Sequence, residues 1–417
     1  MKTVHIIGAG LAGLSAAVHL VRAGIRVRLY EASPRAGGRC RSYFDAQLGC
    51  VIDNGNHIIL GANEATYAYL DAIGSRSELQ EIAPATFPFL DLKSGASWAL
   101  RPNAGPIPWW IFSPMRRARE THALDYIRLV RMIGASSDAT VGDYVDPSHP
   151  IYARFVEPLA TAILNADPRE AAARPLANVL RATLLRGERA CRPAITRTGL
   201  SKAFIDPALT FLDRRRGVFR ANTRLERIDF RADSAAALTF AGETVELGPA
   251  DSVVLATPAW MTGALLPDIS YPREHQAIVN AHFRLPTARR LPGGLPLLAL
   301  VGGTAQWLVA RDDIISVTVS AADRLLNEDP GSLLIRLWRD VAAVLGCEDP
   351  MPPARLIKEK RATYAQTPAA ERLRPTARTR WRNVALAGDW IATGLPATIE
   401  GAIRSGAMAA QIAEGQR

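Results

Sequence analysis

The sequence predicts an α/β protein whose first and last residues build one domain around a shared ligand site. At the start, Lys2–Ile7 has the apolar character of a buried strand and runs directly into Gly8-Ala9-Gly10-Leu11-Ala12-Gly13. At the other end, Ala387-Gly388-Asp389-Trp390 precedes the glycine-containing segment 394–402. Both ends carry pieces typical of a nucleotide site, so we expect the C-terminal residues to fold back onto the N-terminal ones.

The N-terminal run has the spacing of a Rossmann-like unit. Gly8 permits the tight turn out of the strand, Gly10 lets the backbone approach a pyrophosphate, and Gly13 lets the helix pack close to the sheet. The helix N-terminus offers N–H groups and about half a positive charge to phosphates. Val27–Tyr30 reads as the next strand, and Glu31 follows Gly13 by 18 residues, where a carboxylate accepts hydrogen bonds from ribose hydroxyls.

A second glycine turn favours FAD over a nicotinamide cofactor. Gly37-Gly38-Arg39 follows Glu31 closely, offering backbone N–H groups and a cation to a diphosphate. A nicotinamide site needs only the N-terminal half, whereas a ligand that also reaches Asp389 must be longer. We expect the helix that starts near residues 397–399 to point at the flavin, where its N-terminus stabilises negative charge on the reduced ring.

Composition bounds the class of protein. The 417 residues predict two or three domains, and the four cysteines form no C-x-x-C pair, so we expect reduced thiols, a cytoplasmic location and no metal site. We expect no signal peptide, because a strand begins at residue 2, and no run of about 18 apolar residues occurs. The net charge of +10 comes without a nucleic-acid-binding module, which favours a lipid-handling protein at an anionic membrane. The alternative explanation, that the high arginine content only reflects a GC-rich genome, stays open.

The order of predicted elements divides the chain into two interleaved domains. Residues 1–75, 200–265 and 380–417 are assigned to an FAD-binding domain, and residues 76–199 and 266–379 to a substrate-binding domain of mixed α+β structure. Residues 76–199 are expected to be mostly helical. Asp206 is expected to cap the helix that begins at Pro207.

Several longer runs carry a family resemblance. The E-x-x-x-x-x-G-G-R run is typical of amine oxidase and carotenoid desaturase flavoproteins. The more specific runs are Asp53-Asn54-Gly55-Asn56-His57, Pro158-Leu159, Leu164-Asn165, Gly199-Leu200-Ser201, Ile205–Ala208, Arg361–Pro368 and Thr393–Gly406. Together they resemble the squalene-associated FAD-dependent desaturases, which are hydroxysqualene dehydroxylases of bacterial hopanoid pathways. The chain departs from the family where Asn56 replaces a glutamine and where Val309-Ala310-Arg311 replaces an F-D-R-like run.

The resemblance implies an amine oxidase-like two-domain fold and a reaction in which reduced FAD converts hydroxysqualene to squalene. His57 is the first candidate for the acid that protonates the leaving hydroxyl, because histidine titrates near neutrality, followed by Tyr364 and Thr363. A histidine that only hydrogen-bonds to flavin or backbone is the alternative. The expected cofactor-binding residues are Gly8, Gly10, Leu11, Ala12, Gly13, Glu31, Ala32, Gly37, Gly38, Arg39, Gly55, Asn56, His57, Leu225, Thr257, Gly388, Asp389, Pro396, Ala397 and Thr398.

One aromatic segment suggests how an apolar substrate reaches the protein. The segment 106–112 contains Trp109 and Trp110 and is followed by Arg116 and Arg117. Tryptophan favours membrane interfaces and arginine favours anionic head groups, so we expect peripheral contact with the inner face of the cytoplasmic membrane. The alternative is a buried aromatic plug between the domains. The electron donor to FAD is not identifiable from the sequence.

Three other functions remain open on sequence alone. Two are enzymes of the same superfamily, a carotenoid or phytoene-type desaturase and an amine oxidase. The third is a lipid-escort protein that has the flavin fold but has lost the cofactor. The escort function is disfavoured because the cofactor-site residues Glu31, Gly37-Gly38-Arg39 and Gly388-Asp389 are intact. A purified protein that is yellow from bound flavin would support the enzyme functions.

Overall fold

The computed structural model describes residues 2–415. The strands, in chain order, are β1 (Thr3–Ile7), β2 (Arg26–Tyr30), β3 (Ser42–Asp45), β4 (Cys50–Asp53), β5 (Ile59–Leu60), β6 (Leu79–Glu81), β7 (Phe87–Asp91), β8 (Ser97–Leu100), β9 (Pro193–Thr196), β10 (Val218–Arg220), β11 (Leu225–Arg231), β12 (Ser234–Phe240), β13 (Glu243–Glu246), β14 (Ser252–Leu255), β15 (His275–Arg284), β16 (Leu297–Val301), β17 (Trp307–Arg311), β18 (Ile314–Val319), β19 (Ala354–Tyr364) and β20 (Val384–Leu386).

The α-helices are distributed between these strands. In chain order they are α1 (Leu11–Arg22), α2 (Glu64–Ile73), α3 (Ala123–Leu129), α4 (Glu157–Leu164), α5 (Ala173–Ala182), α6 (Glu188–Cys191), α7 (Asp206–Arg214), α8 (Ala259–Leu265), α9 (Pro330–Leu345), α10 (Pro368–Arg372) and α11 (Ile399–Gly415). Two π-helical turns, Tyr152–Val156 and Ser201–Ile205, run directly into α4 and α7. None of the helices within residues 2–415 is both long and apolar enough to cross a bilayer.

A five-stranded sheet brings the two ends of the chain together. Its order is β10-β2-β1-β14-β20 and all its pairs are parallel. Helix α11 packs closely against α1, because a Cβ added to Gly406 would lie 2.1 Å from the carbonyl oxygen of Ala12. Small residues at such a crossing let two helix backbones approach each other. The C-terminal helix therefore lies directly against the first helix of the nucleotide-binding unit, as predicted.

A seven-stranded sheet forms the second layer, in the order β19-β15-β18-β17-β16-β7-β8. Alternate residues along β16 point to opposite faces, as strand geometry requires. Leu298 and Leu300 pack with Leu337 of α9 on one face, whereas Leu297 and Ala299 join a second core cluster that includes residues of α4 and α5. The sheet is therefore covered on both faces.

Two local expectations were wrong. Residues 76–199 are not mostly helical, because β6 to β9 lie within them and three of these strands join sheets with distant segments. Asp206 does not cap a new helix, because the π-helical turn before it continues into α7 without a break in helical backbone. Helix α2 ends at Gly74, whose φ of 74° favours glycine.

Candidate functional site

One cavity of about 1080 Å³ is lined by residues of both sheets. Pockets for single small ligands usually measure about 300–1,000 Å³, so this cavity lies just above that range. Its two ends differ in chemistry. One end is formed by glycine turns and charged side chains, and the other by aromatic and aliphatic side chains.

The glycine turn after β1 forms a cradle for a phosphate-bearing ligand. Gly8 has φ of 102°, and a Cβ there would meet the backbone oxygen of Ala256 at 2.5 Å. A Cβ on Gly13 would lie 1.9 Å from the oxygen of Gly8, so Gly13 serves the close packing of helix on strand and does not line the cavity. A Cβ on Gly10 meets no protein atom within 4 Å, because Gly10 faces the open cavity. The turn therefore leaves room for a ligand where a pyrophosphate was expected.

Glu31 lies at the end of β2 with acceptor capacity to spare. Its Oε2 accepts from the Ala9 N–H at 2.9 Å, and its Oε1 accepts from the Ser33 N–H at 2.9 Å and from the Ser33 hydroxyl at 2.8 Å. A carboxylate offers about four acceptor positions, so one remains on the cavity side for a ribose hydroxyl. Thr223 holds the same loop, because its N–H donates to the Glu31 carbonyl oxygen at 2.8 Å.

The N- and C-terminal halves of the site are joined by an ion pair. Arg39 Nη2 lies 2.7 Å from Asp389 Oδ1, and Arg39 Nη1 donates to the carbonyl oxygen of Ala362 on β19. Arg39 and Asp389 both line the cavity. The predicted meeting of the Gly37-Gly38-Arg39 turn with the Gly388-Asp389 segment is therefore present in the structure.

Tyr364 belongs to the scaffold of the C-terminal segment and not to the cavity wall. Its hydroxyl donates to Glu371 at 2.5 Å, and Glu371 in turn pairs with Arg374 at 2.9 Å. Arg374 also donates to the carbonyl oxygens of Asp389, Ile391 and Leu395. Burial raises the pKa of Tyr364 well above its ordinary value. The expectation that Tyr364 acts as an acid on the substrate was wrong, because its side chain points away from the cavity.

The segment Asp53–His57 is held by the seven-stranded sheet. Asp53 pairs with Arg311 of β17 at 2.8 Å, Asn280 of β15 donates to the Asn54 carbonyl at 3.2 Å, and Asn56 donates to the Thr318 hydroxyl at 3.1 Å. Gly55 packs so closely that a Cβ would lie 2.9 Å from Asn280 Nδ2, and it does not line the cavity. Gly55 was therefore wrongly expected to contact the cofactor. The segment instead presents Asn56 and His57 to the cavity.

The surroundings of His57 favour an uncharged imidazole at neutral pH. Burial lowers the pKa of His57 to about 4, although the nearby carboxylate of Asp53 acts in the opposite direction. A neutral imidazole offers one N–H donor and one acceptor. The structure therefore does not supply the imidazolium on which the expected role of His57 as an acid depended.

The N-terminus of α11 meets the cofactor end of the cavity. Pro396, Ala397 and Thr398 line it, and the Ala397 N–H donates to Gln366 at 2.9 Å. Glu400, in the first turn of α11, pairs with Arg404 of the same helix at 3.1 Å and also reaches a neighbouring helix. Its buried carboxylate accepts from the N–H of Thr66 at 2.8 Å and so caps the neighbouring helix α2, where the helix dipole favours a negative charge.

Most predicted site residues share this cavity. Those that line it are Gly8, Gly10, Leu11, Ala12, Glu31, Ala32, Gly37, Gly38, Arg39, Asn56, His57, Leu225, Thr257, Thr363, Gly388, Asp389, Pro396, Ala397 and Thr398. Sequence reasoning missed Arg224 and Trp260, which also line it. Neither lies in a recognisable motif, and only the fold brings them to the cavity. Asn165 was also missed, although it lies in one of the runs that carry the resemblance.

The other end of the cavity is an apolar chamber. Its walls are Phe87, Phe89, Leu100, Trp110, Phe155, Leu159, Ile163, Leu180, Leu184, Trp307 and Val309. Eight of these side chains come from β7, β8, α4, α5 and β17, and the other three, Trp110, Phe155 and Leu184, come from turns next to the helices, so the chamber is built by the second sheet and the helical segments that cover it. A chamber of this kind accommodates a hydrocarbon and offers a charged ligand little compensation for desolvation.

The aromatic segment outside the chamber is exposed in part. Ile107, Trp109, Phe112 and Met115 form what we call the Trp109 surface, with Trp109 61 %, Phe112 57 % and Met115 77 % exposed. Trp110, only 3 % exposed, packs edge-on against Tyr126 and lines the chamber. Trp110 is therefore too deeply buried to contact a membrane, contrary to the expectation from sequence. Neither is Arg117 available to lipid, because it donates to the carbonyl oxygens of Ile111 and Thr121 at 2.8 Å each.

Comparison with known proteins assigns the family. The family model for flavin containing amine oxidoreductase matches residues 11–413. The chain belongs to this family. It is 44 % identical over 413 residues to a hydroxysqualene dehydroxylase of Rhodopseudomonas palustris, covering 99 % of this chain and 98 % of that one. It is 42 % identical to a hydroxysqualene dehydroxylase of Zymomonas mobilis, covering 99 % of both chains.

The predicted fold and cofactor are confirmed. Cyclohexylamine oxidase from Brevibacterium oxydans superposes with a TM-score of 0.69 at 17 % identity, covering 99 % of this chain and 98 % of that chain, which shows the same two-domain fold. Family membership makes the chain a flavin-dependent oxidoreductase with FAD as its cofactor. The glycine cradle, the spare acceptor position of Glu31 and the Arg39–Asp389 pair fit that cofactor.

Two substitutions separate cofactor binding from folding. Gly10→Val places its side chain in the cavity and Glu31→Ala removes the predicted ribose acceptor, so both purified proteins should contain less than about a tenth of the wild-type FAD, a loss of over 1.4 kcal/mol in binding. Visible flavin absorbance per protein measures the content. Because the Gly10 Cβ meets no protein atom, the thermal midpoint of cofactor-free Gly10→Val should match that of cofactor-free wild type. Normal FAD content in both variants would contradict the assigned site.

Proposed function

We propose that this protein is a hydroxysqualene dehydroxylase, which reduces hydroxysqualene to squalene and releases water. The observation that carries the proposal is the apolar chamber that opens directly onto the cofactor end of one cavity. A C30 isoprenoid alcohol has a single polar group, and a largely hydrocarbon-lined chamber suits it. The names of the full-length relatives support the same reaction.

The reaction balances without a further co-substrate in the chemical step. When bound and reduced, FAD would supply the hydride that forms the new C–H bond as the C–O bond breaks, and a proton from the reduced flavin or from solvent would join the departing hydroxyl to give water. The protein has to bind the hydrocarbon and hold the carbinol carbon about 3–3.5 Å from the hydride donor. The chamber walls exclude water from this reaction.

We propose a division of roles that follows the expected domain limits. Residues 1–75, 200–265 and 380–417 hold FAD, with Glu31 at a ribose and the Gly8–Gly10 turn and Arg39 at the diphosphate. Pro396–Thr398, at the start of α11, lie beside the flavin ring. Residues 76–199 and 266–379 supply the chamber for the substrate.

We also propose that His57 acts as a neutral hydrogen-bond donor beside the flavin. Its lowered pKa favours this role over that of a proton source, because an imidazole with a pKa of about 4 is almost fully deprotonated at pH 7. Asn56, held by Thr318, keeps the same loop in place.

The reaction itself is tested with pre-reduced enzyme. Anaerobic holoenzyme whose FAD carries deuterium at N5 should convert hydroxysqualene to squalene with one deuterium at the former carbinol carbon or its allylic partner. Mass spectrometry of the product measures the label. Oxidised holoenzyme given phytoene serves as the control for desaturase activity and should yield no product. Formation of a desaturated carotenoid, or squalene without label, would contradict the proposal.

The state of His57 is tested by the pH dependence of turnover. A histidine with a lowered pKa is protonated only as the pH falls towards 4, so it should cause no change in rate between about pH 5.5 and 8. His57→Gln retains an N–H donor and should turn over within about tenfold of wild type, with a pH profile of the same shape. If wild type loses activity as the pH rises through about 6.5 and His57→Gln does not, His57 is the acid after all.

We further propose that the Trp109 surface binds the inner face of the cytoplasmic membrane. Trp109 and Phe112 belong to one helical turn, Trp109–Phe112, and Trp110 of the same turn lines the chamber on its inner side. Exposed Arg116 and Arg119 flank the surface and suit anionic head groups. Only the helical turn Trp109–Phe112 would then separate substrate dissolved in the bilayer from the chamber.

Liposome binding measures this contact. The double variant Trp109→Ser, Phe112→Ser should bind anionic vesicles at least tenfold more weakly than wild type, because two large exposed apolar side chains are lost. Phe44→Ser is the matched control, since Phe44 is exposed on the β3–β4 hairpin, which is bonded to Arg284 of β15 and Arg355 of β19 at the opposite edge of the seven-stranded sheet from β8, and its loss should leave binding unchanged. Equal binding by wild type and the double variant would exclude this surface as the membrane contact.

A further inference from the structure

We propose that the hydroxyl of Thr363 binds the alcohol oxygen of the substrate and that Asn165 holds this hydroxyl in its donor orientation. The inference deepens the proposed function and rests on it, because it assigns a binding group to the single polar atom of an isoprenoid alcohol. Thr363 lies on β19 and lines the cavity, with 7 % of its surface exposed.

The orientation of Asn165 is fixed by its surroundings. Its Oδ1 accepts from the backbone N–H of Ala321 at 2.7 Å, which places the NH₂ group on the opposite side. The two Nδ2 protons are directed to the Thr363 hydroxyl at 3.0 Å and to the carbonyl oxygen of Gln276 at 3.3 Å. Because the backbone N–H can only donate, the amide cannot be reversed without losing this bond. All the hydrogen-bonding groups of the Asn165 side chain are therefore engaged.

Thr363 consequently keeps a free proton. Its oxygen accepts from Asn165, and no acceptor for its O–H is found within residues 2–415. A buried donor without a partner is destabilising, so an oxygen placed in the cavity beside Thr363 gains a hydrogen bond that the protein itself does not satisfy. A ligand with a hydroxyl group can supply that oxygen, and a hydrocarbon cannot.

Thr363 also lies where the two ends of the cavity meet. The preceding residue, Ala362, accepts a hydrogen bond from Arg39 of the cofactor turn. Asn165 directly follows α4, whose Leu159 and Ile163 form part of the apolar chamber. An alcohol whose chain fills the chamber therefore presents its oxygen to Thr363 next to the cofactor. The product has lost this oxygen, so it binds without the hydrogen bond.

The proposal predicts a preference for the alcohol over the hydrocarbon that depends on one hydroxyl group. Titration of oxidised holoenzyme, followed through the visible flavin spectrum, measures the Kd of hydroxysqualene and of squalene. Wild type should bind the alcohol about three- to tenfold more tightly, as expected for one neutral hydrogen bond. Thr363→Val, which has the same shape without the hydroxyl, should bind both equally and squalene as wild type does. Thr363→Ser, which restores the hydroxyl, should restore the preference.

Asn165→Asp tests the positioning role. At a pH high enough to ionise the introduced carboxyl group, the oxygen that replaces Nδ2 accepts the Thr363 proton, so the preference for the alcohol should disappear although Thr363 is still present. FAD content confirms that the variant is intact. The proposal is overturned if Thr363→Val keeps the preference, or if it weakens squalene binding to the same extent as alcohol binding. These readouts do not involve turnover, so labelled product formed by wild type tests the proposed reaction separately.

Discussion

The buried carboxylate of Asp53 connects the two halves of the cavity. Its Oδ1 accepts from the Ser42 hydroxyl at 2.6 Å and from the Leu200 N–H at 2.9 Å, both in the first half of the chain. Its Oδ2 pairs with Arg311 of the seven-stranded sheet at 2.8 Å. Removing one partner of a buried ion pair typically costs about 3–5 kcal/mol, because the remaining charge stays desolvated. The positions of Asn56 and His57, which follow in the same segment, depend on this connection.

The nucleotide end could be predicted from sequence because its signals are local. The strand, the glycine run, the helix and Glu31 lie within 31 residues, and each residue type is required by the backbone geometry at its own position. The C-terminal partner was also predictable, since pieces typical of a nucleotide site occur at both ends of the chain. Arg39 and Asp389 do meet in the structure.

The substrate end could not be predicted to the same depth, because it depends on which face of an element is turned inward. Successive residues of a strand point to opposite faces, and here Thr363 lines the cavity whereas the hydroxyl of Tyr364 is bonded to Glu371. The sequence offers no local reason to prefer either of them, and the structure turns Thr363 inward. Trp109 and Trp110 are separated in the same way, one exposed and one in the chamber wall. In both pairs the choice is made by packing against residues distant in sequence.

A chamber of this composition has consequences for how a substrate is distinguished from its product. The two molecules share almost the whole hydrocarbon skeleton, so contacts with the chamber walls stabilise both nearly equally. Discrimination must come from the few polar groups at the chamber's inner end, where a hydrogen bond is stronger than in water because the surroundings are apolar. His57 is neutral there, and Asn165 is fully engaged by the protein. Uncharged donors at this position recognise an alcohol without burying an ion, which the apolar walls would not stabilise.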